Sequence, residues 1–283
     1  MVLGLNRGHR VRLRWLCGLA LATIAVACAA TVQARAAARG NEWPVVVPIA
    51  ELTWSAVGPL SQPTVPLWGD DTRQGQGRLE RFNAVSSQGP FRAGSETLGI
   101  VISGTVTVRT LAPYTSPPLG AGSWFRLPGG ATYTVQAQPG GEALVGIIQP
   151  DGTAGARAYD RTGTRSEVIQ AVVAKAVPFR TVFAGDLAMA VIWGQRQRSA
   201  SCALVRQPVN TTALMRNYPS DTHLIVVTGQ PTVLLEGQKP SKPLGPGSYV
   251  AIPAGAPYIT QTPKGQGCLM VEYHPGQVDP LVP

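Results

Sequence analysis

The chain has 283 residues, 14% of them charged, with 32 Gly and 25 Pro. That is enough for one large or two medium domains, its charged fraction is well below the roughly 25% typical of soluble domains, and its breakers exclude a fold of long helices in favour of short strands and turns. The net charge of +9 does not mark a nucleic-acid binder: five of the 24 basic residues fall in residues 1–36, the other 247 residues hold 19 basic against 15 acidic (+4), and no Lys/Arg run of five or basic stripe with interleaved aromatics occurs there.

Residues 1–36 read as an export signal. Arg7, Arg10, Arg12 and Arg14 form a positive start, and Trp15 to Ala30 an apolar stretch shorter than the roughly 20 residues a spanning helix needs. Val32-Gln-Ala34 and Ala34-Arg-Ala36 offer small-x-small cleavage sites. The expectation is a periplasmic or secreted mature protein with no membrane span once the signal is removed. An uncleaved anchor is the alternative, and a lipid anchor at Cys28 a minor one, since Ala25 stands where a lipobox prefers Leu. Of the remaining cysteines, Cys202 and Cys268 either form a disulfide, which an exported protein permits, or are two buried thiols.

Two stretches organise the rest: Gly122-Ser-Trp-Phe-Arg-Leu-Pro-Gly-Gly-Ala-Thr-Tyr133 and Gly247-Ser-Tyr-Val-Ala-Ile-Pro-Ala-Gly-Ala-Pro-Tyr258, at an offset of 125 residues (Gly122 against Gly247). The same offset lays Leu67-Trp68-Gly69 on Ile192-Trp193-Gly194 and Ile100-Val-Ile-Ser-Gly104 on Ile225-Val-Val-Thr-Gly229. This predicts a duplicated domain, with residues 37–150 and 170–283 as the two units and 151–169 as linker. Runs at 78–85, 99–109, 123–127, 132–138 and 144–149 alternate or are β-branched and end in Gly, Pro or Ser. The fold class is therefore all-β, two tandem barrels or sandwiches. Ile100, Ile102, Trp124 and Leu144, with Ile225, Val227, Tyr249 and Leu269, are the expected inner-face residues.

The Gly, Pro-x-Gly and closing-residue spacing resembles the later motif of the cupin (RmlC-like jelly-roll) barrel, met twice: Gly122, Pro128, Gly130, Tyr133 and Gly247, Pro253, Gly255, Tyr258. Leu67-Trp-Gly-Asp70 and Val101-Ile-Ser-Gly-Thr105 look like an uncharacterised branch of bicupins related to the cupin part of ChrR-type anti-sigma factors. The resemblance spans about residues 45–275. It implies a metal held by three His and a carboxylate. Here the closing His is replaced by Tyr133 and Tyr258. The Glu places, seven residues before Gly104 and Gly229, fall on Thr97 and Thr222, and the His-x-His places on Pro90/Arg92 and Met215/Asn217. Such side chains do not suit a transition metal. The mature chain keeps only His223 and His274, and His223, next to Thr222, faces the opposite side of its strand. No metal or other cofactor is expected.

A barrel interior is still a concave small-molecule site. Arg92, Thr97 and Tyr133 in the first unit suit a carboxylate or other anion; Met215, Asn217, Thr222 and Tyr258 in the second form a neutral set. The leading expectation is a non-catalytic ligand-binding or structural protein. The alternative is a metal-independent isomerase or lyase using Tyr133 with Glu96, if a bulge turns Glu96 inward. The resemblance also implies a homo-oligomer formed by strand exchange.

Overall fold

The computed structural model describes residues 45–55, 63–69, 75–83, 90–110, 114–150, 169–182, 187–213 and 215–278. Residues 1–36, read from the sequence as an export signal, and residues 151–168 of the expected linker lie outside them. Frequent Gly and Pro leave no α-helix among the described residues and no helix long and apolar enough to cross a membrane. The first half gives β1 (Val45–Val47), β2 (Thr64–Trp68), β3 (Gln76–Asn83), β4 (Phe91–Arg92), β5 (Thr97–Ser103), β6 (Thr105–Thr110), β7 (Leu119–Gly120), β8 (Trp124–Leu127), β9 (Thr132–Ala137) and β10 (Glu142–Gln149). The second gives β11 (Gln170–Val172), β12 (Arg180–Val182), β13 (Leu187–Gly194), β14 (Ser201–Gln207), β15 (Thr222–Thr228), β16 (Thr232–Leu235), β17 (Tyr249–Ile252), β18 (Tyr258–Gln261) and β19 (Cys268–His274).

A six-stranded sheet, β11-β8-β5-β10-β3-β2, packs on the sheet β4-β9-β6-β7, and a seven-stranded sheet, β1-β17-β15-β19-β14-β13-β12, packs on β16-β18. The fold is all-β, with two barrels. The halves exchange their first strands. β1 leaves its own half to pair with β17 (Val46 opposite Val250), and β11 pairs with β8 (Ala171 opposite Phe125). Each short strand is pinned by the same side chain-to-backbone bond: Ile49 N donates to Ser248 Oγ at 3.1 Å, and Ala174 N to Ser123 Oγ at 3.0 Å. A three-residue strand has too few ladder bonds to hold by itself; here it completes the other half's sheet, covering an edge that would otherwise be open.

Side-chain alternation then sets which residues line a barrel and which line the seam between barrels. Val101, Phe125, Val145 and Ile147 point into the first barrel with Val106, Val108 and Val135 of the opposite sheet. Leu224, Val226, Val250 and Ile252 point into the second with Val233 and Leu235. The expected inner-face residues are instead on the other face. Ile100, Ile102, Trp124, Leu144, Ile225, Val227 and Tyr249 form one apolar core joining both halves, with Leu269 packed against it. The sequence pattern marks both faces of these strands as apolar, and nothing local says which faces its own barrel.

The seam is closed by aromatic rings. Trp68 of the first half stacks on His223 of the second at 4.5 Å with 6° between planes, and lies beside Tyr249 and Tyr273 at 5.7 and 5.5 Å. Gly77 makes room for this indole, since a Cβ there would run into the six-membered ring of Trp68. Gly77→Ala is expected to cost about 1–3 kcal/mol, the usual price of overpacking, read as a lower urea midpoint. Because Trp68 is held by the stack, an unchanged midpoint would mean that the indole has room to move. Cys202 and Cys268 are both buried free thiols. They stand near opposite ends of the paired β14 and β19, opposite Tyr273 and Gln207, so no disulfide joins them.

Candidate functional site

The first barrel holds a polar cluster on its inner wall. Arg78 and Glu80 alternate inward along β3, Gln149 closes β10, Thr97 opens β5 and Tyr133 opens toward them from β9. Arg78 Nε donates to Glu80 Oε1 at 2.6 Å and its Nη1 to Gln149 Oε1 at 2.8 Å. Gln149 Nε2 donates to Thr97 Oγ1 at 3.3 Å, and that hydroxyl donates to the carbonyl of Ser95 at 3.2 Å. The side chains of Arg78 and Glu80 remain 24% and 16% exposed, so solvent reaches the pair. Burial, and then the Glu80 carboxylate, push the Tyr133 phenol above its ordinary range, with Arg78 opposing.

Of the residues expected here, Thr97 and Tyr133 belong to this barrel. The backbone of Arg92 pairs with Thr132, but its side chain lies outside the described set. It is Phe91, one residue earlier, whose ring lies 5.7 Å from that of Tyr133. Glu96 is on the other side of the sheet. It is ion-paired with Arg126 and accepts Trp193 Nε1 at 2.9 Å from the other half. No bulge turns it inward, so Glu96 and Tyr133 do not share a cavity. Arg78, Glu80 and Gln149 were missed because the motif spacing does not reach β3 or the end of β10. The available signal was alternation: Gln76, Arg78 and Glu80 are every second residue of one strand.

The second barrel has a different centre. Glu272, fully buried on β19, accepts Arg196 Nη1 at 3.1 Å and His274 Nε2 at 2.9 Å on Oε1, and Arg216 Nη1 at 2.7 Å on Oε2. Tyr258 Oη is 3.4 Å from Oε2. Arg216 also donates to Thr260 Oγ1 at 3.0 Å and lies 4.5 Å from the centre of the Tyr258 ring. Burial opposes ionisation of Glu272, yet Arg216, the His274 hydrogen bond and Arg196 hold its carboxyl well below the usual range. Thr222 faces inward, 3.2 Å from His274 Nδ1. Met215 and Asn217 do not face inward: Met215 is 60% exposed and Asn217 also faces solvent, while their neighbours Arg216 and Tyr218 are buried. The register inferred from the turn glycine is off by one residue in this half, as it is at Phe91 in the first. His223, as alternation requires, faces the seam; His274 faces the barrel, where its imidazole serves the carboxylate.

These side chains do not fit the metal that the resemblance implies. In the first barrel the inward places are Phe91, Ala93, Thr97 and Tyr133, two of them hydrocarbon. In the second they are Arg216, Tyr218, Thr222 and Tyr258, one of them a permanent cation. Among the described residues no group of three His, Cys, Asp or Glu is placed to hold an ion.

No family model matches the sequence, and no curated protein matches it. Solved structures do match in fold. The protein Ylba from E. coli superposes with a TM-score of 0.60 at 13% identity, covering 81% of this chain and 89% of that one. The oxalate decarboxylase of Lactobacillus farciminis, in its formate complex, gives 0.56 at 10%, covering 83% and 87%. A cupin 2 conserved barrel domain protein from Leptotrichia buccalis gives 0.52 at 10%, covering 75% and 87%. The exchanged strands, the paired barrels and these likenesses agree: the chain has the bicupin fold, two cupin barrels in one polypeptide.

Proposed function

We propose that the protein is an exported, metal-independent bicupin whose first barrel binds a small polar ligand and whose second barrel is structural. The observation that carries this is the contrast between the two polar interiors. The Arg78–Glu80–Gln149–Tyr133 cluster is reached by solvent, whereas the Arg216–Glu272 pair is sealed, with 1% and 0% of its side chains exposed. Export rests on the basic-then-apolar start of the chain. Because each half takes its exchanged strand from the other, the fold does not need a second copy to supply one.

The same cluster narrows the ligand. Glu80 already answers the charge of Arg78, so a bare carboxylate would meet a like charge beside the guanidinium. A hydroxylated or amide-bearing molecule can donate to Glu80 while accepting from Arg78 and Tyr133. Proton-transfer chemistry is the poorer reading. Tyr133 has its phenol shifted away from neutrality, and the carboxylate beside it, Glu80, is tied up by Arg78. Thermal-shift screening of small polyols, sugars, amides and carboxylates tests this. A compound that stabilises the wild type should bind Arg78→Ala roughly 10- to 100-fold more weakly, as losing a charge-assisted contact requires. Equal affinity for both proteins would remove this barrel wall from the binding site.

A further inference from the structure

The centre of the second barrel is a metal site with its charges reversed. In the family pattern, ligands from several strands converge on a cation. Here, side chains at those inward places converge on an anion. Arg216 and Tyr258 approach Glu272 directly, at 2.7 and 3.4 Å, and Thr222 reaches it through His274. Arg196 adds a second guanidinium. Each carboxylate oxygen therefore has two partners, which is near the limit of what such a group accepts. His274 Nε2 must donate, because an ionised carboxylate can only accept.

A second layer holds these donors in place. Thr260 Oγ1, which accepts from Arg216, donates in turn to Gln207 Oε1 at 2.8 Å, and Gln207 Nε2 donates to the carbonyls of Thr260 and Thr211, both at 3.0 Å. Two guanidiniums face one carboxylate, so the surround is more positive than its occupant requires. The first barrel has no counterpart. At the matching offset of 125 residues, Ile147 stands for Glu272 and Phe91 for Arg216, and both are apolar.

We infer that the second barrel is a carboxylate-binding centre occupied by the chain's own Glu272, and not a metal centre that has merely lost its ligands. The constellation is built to recognise a carboxylate: two guanidiniums, an imidazole N–H and a phenol, held by buried hydrogen bonds. Truncating Glu272 removes the occupant and leaves the recognising groups. Formate or acetate then fits where the side-chain carboxylate was.

The experiment is chemical rescue of Glu272→Ala. Its melting temperature, lower than that of the wild type, should rise saturably with sodium formate or acetate. Sodium chloride at equal ionic strength, or formamide and acetamide, should not raise it, and the wild type should show no carboxylate-specific rise through this centre. Adding Arg216→Met to Glu272→Ala should abolish the rescue. If Glu272→Ala does not fold from the cell, refolding yield in formate against chloride is read in its place. Absence of carboxylate-specific recovery in either readout overturns the proposal. So does stoichiometric manganese, cobalt or zinc, measured by elemental analysis after dialysis of the wild type and lost in Arg216→Met. Neither result bears on ligand binding in the first barrel, which Arg78→Ala tests separately.

Discussion

Arg216→Met should lower the stability of the folded chain by about 3–5 kcal/mol, the range found when one member of a buried ion pair is removed. The side chains of Arg216 and Glu272 are 1% and 0% exposed, so water cannot take over from either partner. The variant leaves Glu272 with Arg196, His274 and the longer contact from Tyr258, and Thr260 loses a donor. For a unit of this size that is a drop in melting temperature of roughly 10 °C. The companion Arg216→Met/Glu272→Leu should recover part of the loss, because removing both charges removes the desolvation penalty with the attraction, while Arg196, 17% exposed, gives up its carboxylate. One detail favours that recovery: Arg216 Nε is buried without a hydrogen-bond partner, so the native pair is not fully satisfied either. Urea midpoints for wild type, both single variants and the double variant give the coupling energy. A single-variant cost below about 1 kcal/mol would mean that the pair is screened in a way its burial does not allow.

Much of the fold was legible because turn chemistry is local. Gly104, Gly122, Gly130, Gly229, Gly247 and Gly255 all have positive φ, and at Gly104 and Gly229 a Cβ would also strike a backbone carbonyl of the neighbouring segment, that of Glu142 and of Gly267. Such positions must be glycine, so their spacing survives in the sequence and identifies the barrel. The inner faces were not legible. Leu98, Ile100 and Ile102 are buried against the other half, while Thr97 and Val101 are buried in their own barrel, and a strand covered on both sides carries no polar face to orient it. For the same reason the site was half read. Tyr133, Thr97, Tyr258 and Thr222 sit at fixed distances from turn glycines. Phe91 and Arg216 each lie thirteen residues before a turn glycine, Gly104 and Gly229, and over that longer count one residue of slip exchanges an inward side chain for an outward one. Glu272 was overlooked in the run Cys268-Leu-Met-Val-Glu-Tyr-His274, although a lone carboxylate in a buried strand nearly always has a buried cation opposite it.

Acid should destabilise the protein before its carboxylates titrate, and His223 should be the reason. Its ring lies in the seam, stacked on Trp68 and beside Tyr273, and its Nδ1 is 2.7 Å from Tyr249 Oη. Burial, assisted by the nearby His274, lowers its pKa to about 3 from an ordinary 6.5. The facing hydroxyl of Tyr249 is itself pushed up by burial and by Asp221, so it stays neutral and offers no counter-charge. Above pH 6.5 the imidazole is neutral whether folded or unfolded, and pH has no effect through it. Below 6.5 the unfolded chain takes up a proton that the folded chain refuses, and stability falls by up to about 1.4 kcal/mol per pH unit until the folded pKa is reached. Glu272 acts lower down: its depressed carboxyl contributes stability that is present above the unfolded value near 4.5 and lost as pH falls below it. The window from pH 6.5 to 4.5 therefore separates the two. His223→Phe keeps an aromatic ring against Trp68 and gives up the bond to Tyr249, at a cost of about 1 kcal/mol at neutral pH. Across that window its urea midpoint should be nearly flat while the wild type loses about 2–3 kcal/mol, and the two curves should cross near pH 6. Parallel slopes in the two proteins would place the acid-sensitive group elsewhere. Because His223 belongs to the seam and not to either barrel interior, its protonation opposes the docking of one half on the other.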